Sequence, residues 1–254
     1  MDANTIYHMD CIKGMGRLDD KSVDIIVTSP PYNIGVKYNS HNDNMEFEDY
    51  LTWMRDFGVA CKRVLKDNGS IFFNIGDKAS DELKAFEVSK QLKQSFYLQN
   101  TVHWVKSIAV PEESINIGHF KPVNSKSYVN NCHEYIFHFT KTKSVPLDKH
   151  AIGVPYADKS NIGRWKSVKK DVRDRGNIWY IPYDTVRGEK EHPAAFPLKL
   201  PEMCIKLHGY TKDTIVMDPF SGSGTTLLAA KKLGCNYIGF EIDKDYIKVA
   251  NSKL

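Results

Sequence analysis

The chain has 254 residues, a formal net charge of +4 and a sequence pI near 8.6, so a polyanionic partner is permitted but not required. Hydrophobic residues make up 41% and charged residues 26%, as in ordinary globular domains, and no apolar run reaches the roughly 18–20 residues of a membrane span. The N-terminus has no secretion pattern and the five cysteines are scattered, so we expect a cytoplasmic protein with reduced thiols, no metal and no membrane contact.

The first half of the chain alternates predicted strands and helices. A β-branched run over Val23–Thr28 ends abruptly at Ser-Pro-Pro, as a buried parallel strand would. Apolar residues then recur at helical spacing from Phe47 to Leu65, and Gly69 is predicted to be the C′ glycine of that helix. The other predicted elements are strands at Thr5–His8, Ile71–Ile75, Tyr97–Val105 and Tyr135–Phe139, and helices at Ile12–Leu18 and Asp81–Gln94.

Regular periodicity fails from Lys141 to Gly176, where the charge also changes. This segment has ten Lys and Arg against four Asp, a local charge of +6. A solvated loop and a nucleic-acid contact both fit this composition, and the interleaved Tyr156 and Trp165 favour the contact, because phosphates attract cations and bases stack on flat side chains. The residues predicted to make it are Lys159, Arg164, Trp165, Lys166, Lys169, Lys170, Arg173 and Arg175.

The last part of the chain is regular again. Helices are predicted at Leu198–His208, at Gly224–Leu233 and after the N-cap residue Asp243, and strands at Thr214–Asp218 and Asn236–Glu241. Strands that alternate with helices along the chain indicate a mostly parallel sheet with helices on both faces.

A glycine loop follows the predicted strand that ends at Asp218. Gly222 and Gly224 permit a sharp turn and the close approach of a ligand, and Thr225 and Thr226 are predicted to cap the next helix. Glu241 ends the following strand, about 20 residues further on, where an acid can bind both ribose hydroxyls of a nucleoside. The loop therefore predicts a nucleoside site.

Two other nucleotide-binding loops do not fit this segment. Leu227 occupies the third glycine position of a dinucleotide fingerprint, and the Gly-Lys-Ser/Thr of a Walker loop is absent. Because Leu227 breaks the dinucleotide fingerprint, an ordinary nucleotide-dependent oxidoreductase is disfavoured.

The Ser29-Pro-Pro-Tyr32 turn is predicted at the carboxyl edge of the sheet, where open α/β folds bind ligands. Its two prolines fix the backbone and remove two N–H donors, which leaves a rigid turn rich in acceptors. Such a turn suits the amino group of cytosine or adenine, because two acceptors that hold its hydrogens would favour a pyramidal, nucleophilic nitrogen. Tyr32 would stack on the base, which must leave the duplex to be reached.

Together these motifs resemble the β group of S-adenosylmethionine-dependent DNA amino-methyltransferases, in which the catalytic turn precedes the cofactor loop. Val27–Asn33 resembles the catalytic motif, and Val216–Thr226 with Ile238–Asp243 resembles the cofactor motifs. Met9-Asp-Cys-Ile12 resembles the segment beside the cofactor's adenine, and Gly176–Pro182 and His192–Pro197 resemble its approach to the methionine end.

The resemblance implies a site for each reactant. Its catalytic residues would be Ser29, Pro30, Pro31 and Tyr32, and Asn33 would contact DNA together with the basic segment. The cofactor, S-adenosyl-L-methionine, would be bound by Asp10, Cys11, His192, Phe196, Pro197, Asp218, Phe220, Ser221, Gly222, Gly224, Thr225, Thr226, Glu241 and Ile242.

The implied fold is a Rossmann-like α/β methyltransferase sheet, parallel except for one antiparallel strand, with circularly permuted motifs. Residues 1–140 would form the catalytic half of the core, 141–176 the inserted target-recognition segment, and 177–254 the cofactor-binding half. The implied partners are DNA and, through a shared recognition site, a cognate restriction endonuclease. A homodimer is compatible with the resemblance.

Motif order and the residues of the turn narrow the reaction. Amino-methyltransferases of protein glutamine or ribosomal RNA carry their Asn-Pro-Pro-Tyr turn after the glycine loop, and cytosine C5 methylation uses a Pro-Cys nucleophile that is absent here. Ser-Pro-Pro-Tyr is associated in this family mainly with N4 of cytosine, which we expect, and N6 of adenine is the alternative. A DNA-binding regulator without catalysis is disfavoured, because a pure binder needs neither motif.

Overall fold

A twisted sheet with helices on both faces forms the centre of the molecule. The computed structural model describes residues 1–118, 123–164, 170–183 and 195–254. The strands of the sheet are β1 (Thr5–His8), β2 (Val23–Thr28), β3 (Leu65–Ile75), β4 (Tyr97–Val105), β7 (His133–Thr140), β8 (Ile178–Tyr180), β9 (Ile215–Asp218) and β10 (Asn236–Glu241). Between β4 and β7 a separate hairpin pairs β5 (Ser107–Val110) with β6 (Ile115–Gly118).

The strand order of the large sheet is β1-β10-β9-β2-β3-β7-β4-β8. Neighbouring strands are parallel except where β7 meets β3 and β4, to both of which it is antiparallel. The prediction of a mostly parallel sheet with one antiparallel strand is confirmed.

The described part of the chain contains six α-helices. They are α1 (Cys11–Met15), α2 (Phe47–Val64), α3 (Lys84–Lys93), α4 (Lys199–His208), α5 (Thr225–Lys232) and α6 (Lys244–Lys253). The first three share a core with one face of the sheet, including Phe73 and Phe240, and α4 and α5 share a second core with the other face, including Val27 and Val216. None of the helices in the described ranges is long and apolar enough to cross a membrane.

The end of α2 differs from the sequence prediction. Leu65 is already extended, with φ −71° and ψ 138°, and β3 begins there, so Gly69 lies inside a strand and does not end the helix. A Cβ at Gly69 would stand 2.7 Å from the Leu65 side chain and 2.8 Å from the Asp24 carbonyl oxygen. The close packing of β3 against β2 therefore requires a glycine at this position. The reason is the lack of space for a side chain and not a positive φ angle.

Two parts of the chain without a strong periodic signal behave differently in the structure. The β5–β6 hairpin and the three-residue β8 were not predicted, because such short strands give too little alternation to recognise. Within the described part of 141–176, by contrast, regular structure is limited to a single 3₁₀ turn at Lys159–Asn161 and an isolated bridge between Val154 and Arg173. The absence of periodicity there was predicted correctly for these residues.

Candidate active site

The two predicted motifs meet at the carboxyl edge of the sheet. β2 and β9 are parallel neighbours, with Ile25 opposite Val216 and Ile26 opposite Met217. The Ser29–Tyr32 turn follows β2 and the glycine loop follows β9, so the sheet brings together two segments that lie far apart in the chain.

A cavity of about 820 Å³ lies at this edge. On the side of β2, β3, β7, β4 and β8 its walls include the Ser29–Tyr32 turn, Asn74, Trp104, Glu134 and Tyr183. On the side of β1, β9 and β10 they include Asp10, Cys11, Phe220, Gly222, Glu241 and Ile242. The cavity thus connects the predicted catalytic turn with the predicted cofactor loop.

The Ser29–Tyr32 turn is held from behind by the neighbouring elements. The Tyr50 hydroxyl of α2 donates to the Pro31 carbonyl oxygen over 2.8 Å, and Lys84 Nζ of α3 donates to the Asn33 carbonyl oxygen over 2.6 Å. Because the prolines fix their own φ angles, these two bonds leave the turn little freedom.

Asn33 ends the turn with φ +56°, in the left-handed region that asparagine tolerates better than most residues. Its side chain is buried and paired with the backbone of Met45, donating to the carbonyl oxygen at 3.0 Å and accepting from the N–H at 2.6 Å. The amide is therefore not presented to DNA as the sequence suggested. Its visible role is to fix the turn to the segment that follows.

That segment, residues 34–46, lines the cavity with side chains that include Val36 and Met45, and it is called the lid segment below. Asp43 is buried and its carboxylate accepts N–H bonds from Asn33, Ile34 and Val36, at 2.7, 3.1 and 2.9 Å. The Ser40 hydroxyl donates to Asp243 beside the cofactor loop over 2.9 Å. These bonds tie the segment both to the catalytic turn and to the cofactor side of the cavity.

Tyr32 stands at the centre of a polar cluster that the sequence did not reveal. Its hydroxyl donates to Glu134 Oε2 at 2.8 Å, and Asn74 Nδ2 donates both to Tyr32 Oη at 2.6 Å and to Glu134 Oε2 at 2.8 Å. Ser29 Oγ lies 2.8 Å from the same phenol oxygen. The far end of the Tyr32 ring is thus fixed, while the turn lines the cavity.

The Glu134 carboxylate is buried, with 8% of the residue exposed, and its other oxygen accepts a 3.0 Å bond from Lys106 Nζ. Tyr183 lies beside the same carboxylate, and burial together with this negative charge raises its pKa. Burial also raises the pKa of Tyr32 well above its usual value, with Glu134 as the next cause. Both phenols therefore stay protonated at neutral pH.

Sequence reasoning did not assign Asn74, Glu134, Lys106 or Tyr183 to the catalytic site. Two signals were present: Asn74 is the one polar residue in the apolar run Ile71–Ile75, and Glu134 is the second residue of the largely buried strand β7. A polar residue inside a buried strand needs a partner, and such residues deserve to be considered as site candidates.

The glycine loop has the conformation that its sequence predicts. Gly222 and Gly224 have φ of +48° and +80°, and a Cβ at Gly224 would lie 2.8 Å from the Ala250 side chain of α6. The prediction that Thr225 and Thr226 cap the helix after the loop is wrong, however. Gly224 is the N-cap of α5 without a side-chain cap, and the Thr226 hydroxyl donates instead to the Val27 carbonyl oxygen over 3.2 Å.

Several predicted cofactor residues hold the glycine loop in place and do not line the main cavity. Ser221 donates from its hydroxyl to the Asp218 carbonyl oxygen over 2.8 Å, and its N–H donates to the Phe240 carbonyl oxygen over 3.0 Å. Asp218, Ser221 and Thr225 line a smaller cavity of about 30 Å³, whose walls also include Ser29.

Glu241 closes the opposite side of the loop. One carboxylate oxygen accepts from Gly222 N–H at 2.8 Å, and the other accepts from Ile242 and Asp243 N–H, both at 2.8 Å. Burial raises the pKa of Glu241, and these three donors act against that shift by favouring the charged form. The carboxylate is thus fixed in orientation and faces the cavity.

The predicted residues near the N-terminus lie on the same side of the cavity. Asp10 is the N-cap of α1, where its carboxylate accepts from Lys13 N–H at 2.9 Å, and it lines the cavity together with buried Cys11. Burial raises the pKa of the Cys11 thiol, which suits an apolar wall and not a nucleophile.

The predicted residues for the methionine end are only partly described. Phe196 lines the cavity, and Pro197 next to it accepts from Leu200 N–H at 3.0 Å at the start of α4. His192 lies outside the described residues.

The basic segment is partly neutralised by its own acids. Lys159 pairs with Asp171 at 2.6 Å, and Arg175 Nε donates to the Ile152 carbonyl oxygen at 2.8 Å. Arg164 is exposed and donates to the Asn161 side chain at 3.1 Å. Arg173 and Lys170 are also exposed, and the predicted contacts Trp165, Lys166 and Lys169 fall outside the described residues.

Known proteins resemble this chain over almost its full length. It is 32% identical to the type II methyltransferase M.BglII of Bacillus subtilis, over 97% of this chain and 68% of that protein. It is 28% identical to the type II methyltransferase M.HpaI of Haemophilus parainfluenzae, over 96% of this chain and 72% of that protein.

Solved structures share the fold. The PvuII DNA methyltransferase, described as cytosine-N4-specific, superposes with a TM-score of 0.74 at 22% identity, over 100% of this chain and 87% of that one. TTHA0409 of Thermus thermophilus, solved in complex with S-adenosyl-L-methionine, gives a TM-score of 0.64 at 22% identity, over 98% and 91%. The family model for N6/N4 methyltransferases, described as DNA methylase, matches residues 23–252. The chain belongs to the DNA methylase family.

Proposed function

We propose that this protein transfers a methyl group from S-adenosyl-L-methionine to the exocyclic N4 amine of a cytosine in DNA. The observation that carries the proposal is the cavity of about 820 Å³ that has Ser29 in one wall and Glu241 in another. An acceptor-rich turn for an amine and a carboxylate for a nucleoside thus share one cavity, as a methyl transfer between two bound reactants requires.

The cofactor-side wall fits S-adenosyl-L-methionine in its chemistry. Glu241 offers an ionised carboxylate whose oxygens are already oriented by backbone donors, which suits two ribose hydroxyls. Cys11, Phe220 and Ile242 offer apolar surface for an adenine ring. When bound, this cofactor supplies an electrophilic methyl group on a sulfonium. TTHA0409, a structural neighbour, is known in complex with the same molecule.

The catalytic turn fits an exocyclic amine. The lone pair of such a nitrogen is delocalised into the ring, so it attacks only when its hydrogens are held out of the ring plane. Ser29 Oγ and the Pro30 carbonyl oxygen are the acceptors that we assign to these two hydrogens, since the Pro31 carbonyl already bonds Tyr50. The turn lines a recessed cavity, so the base would reach it only after leaving the duplex, with the Tyr32 ring as its stacking partner.

Cytosine is our choice of base because Ser29 is a neutral acceptor, and because the PvuII enzyme, a structural neighbour, is cytosine-N4-specific. The type II methyltransferases among the relatives support a place in a restriction–modification system, acting on cytoplasmic DNA. Within the chain, residues 141–176 would recognise the target sequence, between a catalytic half (1–140) and a cofactor-binding half (177–254).

One assay tests this proposal directly. The protein is incubated with long unmethylated phage DNA and methyl-labelled S-adenosyl-L-methionine, and the DNA is digested to nucleosides for chromatography. Label in N4-methylcytosine is expected, and the Tyr32→Ala variant should give almost none. Label in N6-methyladenine would overturn the choice of base, and unlabelled nucleosides would overturn the activity.

A further inference from the structure

The hydrogen bonds around Tyr32 have one direction that satisfies every donor. The Glu134 carboxylate, ion-paired with Lys106, only accepts, so Tyr32 donates its single hydrogen to Glu134 Oε2 over 2.8 Å. The phenol oxygen must then accept from Ser29 Oγ, 2.8 Å away. The Ser29 hydrogen therefore points towards Tyr32. Ser29 Oγ accepts one long bond, from Asn74 Nδ2 at 3.4 Å, and its other lone pair is left for a group in the cavity.

We propose that Ser29, Tyr32 and Glu134 form a proton relay that removes a proton from the target amine as the amine is methylated, with Glu134 as the terminal acceptor. The inference rests on the proposed function and assigns a role to a glutamate outside the catalytic turn. Glu134 follows Tyr32 by 102 positions and reaches it only because β7 and β3 are paired.

The transfer balances in atoms and charge. The N–C bond forms as the methyl–sulfur bond breaks, and the nitrogen becomes positively charged, which makes its proton strongly acidic. That proton passes to Ser29 Oγ, the Ser29 proton passes to Tyr32 Oη, and the Tyr32 proton passes to Glu134 Oε2. The products are the neutral methylated amine, S-adenosylhomocysteine and a protonated Glu134, which later loses its proton to solvent.

Two features of the cluster suit a concerted relay. Asn74 Nδ2 bonds both Tyr32 Oη and Glu134 Oε2, so it holds the acceptor in line with the phenol. Burial and Glu134 raise the pKa of Tyr32, so a free tyrosinate is disfavoured and the phenol must gain one proton as it gives up the other.

The charged and titratable groups that face Glu134 come from three directions. Lys106, which follows β4, pairs with it at 3.0 Å, Tyr32 donates to it, and Tyr183, which follows β8, lies beside it. Tyr38 of the lid segment is further away but within its electrostatic field. Lys106 is the cation of this set, and it pairs with one carboxylate oxygen of Glu134 while the other oxygen accepts from Tyr32.

Single-turnover methylation with matched variants tests the relay. Glu134→Gln keeps an acceptor of the same shape that cannot take the proton, and Tyr32→Phe keeps the ring and breaks the middle link. Each should lower the methyl-transfer rate by about 100-fold or more. The double variant should lose little more than either single one, because one break already interrupts the relay. Glu87→Gln, on the exposed side of α3, is the control and should keep the wild-type rate.

Cofactor binding separates a relay from a structural role. The calorimetric Kd for S-adenosyl-L-methionine should stay near wild type in Glu134→Gln and in Tyr32→Phe, because neither side chain belongs to the cofactor-side wall of the cavity.

The inference is overturned if Glu134→Gln methylates at the wild-type rate, if its rate loss matches a loss of cofactor binding, or if the losses of the two single variants multiply in the double one. These outcomes all require an active wild-type protein. A wild-type protein that labels no DNA would overturn the proposed function instead.

Discussion

The Thr28 hydroxyl donates a 2.7 Å hydrogen bond to the buried carboxylate of Asp218, across 190 positions of the chain. Thr28 is the last residue of β2 and Asp218 the last of β9, so the bond joins the strand ends from which the two motifs begin. The same oxygen of Asp218 also accepts from Phe220 N–H at 3.1 Å. One carboxylate therefore fixes the start of the glycine loop relative to the start of the catalytic turn.

Burial of Asp218 predicts a pH-dependent stability. Only 2% of the residue is exposed, and burial raises its pKa from 3.8 to about 6. A folded-state pKa above the unfolded value means that the folded protein holds this proton more tightly. The cost of the buried charge is therefore absent below about pH 4, appears as the pH rises, and is complete above about pH 6, where two units correspond to about 3 kcal/mol.

Asp218→Asn removes that titration. We expect the free energy of unfolding of the variant, relative to wild type, to rise by up to about 3 kcal/mol between pH 4 and pH 7. Urea denaturation at a series of pH values measures this difference. Asp77, whose pKa burial also raises to about 6, titrates in both proteins and cancels. A difference that is constant with pH would contradict the prediction.

Glu241→Gln should weaken cofactor binding. The variant replaces one of the two oriented oxygens by an amide that opposes the N–H donors it faces, and it removes the charge. A charge-assisted hydrogen bond contributes about 1.5–3 kcal/mol, so we expect the Kd for S-adenosyl-L-methionine to rise about 10- to 100-fold. Isothermal titration calorimetry measures it, with Glu87→Gln as the control. An unchanged Kd would remove Glu241 from the ribose assignment.

Tyr32→Ala should lower turnover far more than cofactor affinity. The substitution removes both the proposed stacking surface and the link between Ser29 and Glu134. Stacking of one base contributes about 1–3 kcal/mol, and the broken link adds to that loss. We expect kcat to fall by about 100-fold or more, while calorimetry gives a Kd for S-adenosyl-L-methionine close to wild type. Equal losses in both would speak against the stacking role.

Arg164→Ala should change the salt dependence of DNA binding. If this exposed guanidinium contacts a phosphate, its loss removes one released counterion and lowers the slope of log K against log salt by about one. Fluorescence anisotropy with duplex DNA at several salt concentrations measures the slope. Lys248→Ala, which removes an exposed cation on α6, should leave it unchanged. Equal slopes for wild type and Arg164→Ala would place the contact elsewhere.

The sequence predicted the parts of the site that are local. The Ser29–Tyr32 turn and the loop around Gly222 each follow a buried strand and could be located from a short window, and the parallel pairing of β2 and β9 then brings them together. The position of Asn33 could be predicted from the sequence, but its role could not. Its amide is hydrogen-bonded to the backbone of Met45, twelve positions further on, and no periodic pattern in the lid segment predicts that contact.

The Glu134 cluster could not be predicted in the same way. Asn74, Lys106 and Glu134 come from three strands or strand ends, and their contacts depend on the register of β7 against β3 and β4. A local sequence pattern predicts neither the order of the strands in the sheet nor their register. The C′ role expected of Gly69 was wrong for a related reason: the glycine is required by the close approach of β2, a tertiary contact.

The reversed direction of β7 has a consequence for how such enzymes can diversify. A parallel strand of this sheet ends at the edge that carries the site and continues into a loop there. A change in the length or sequence of that loop therefore also affects the side chain at the end of the strand. β7 begins at that edge and runs away from it. The position of Glu134 is fixed by the pairing of the residues that follow it, with Tyr135 opposite Ile75 and Ile136 opposite Asn74. The connection between Lys106 and β7, including the β5–β6 hairpin, can therefore vary in length and sequence without displacing the carboxylate.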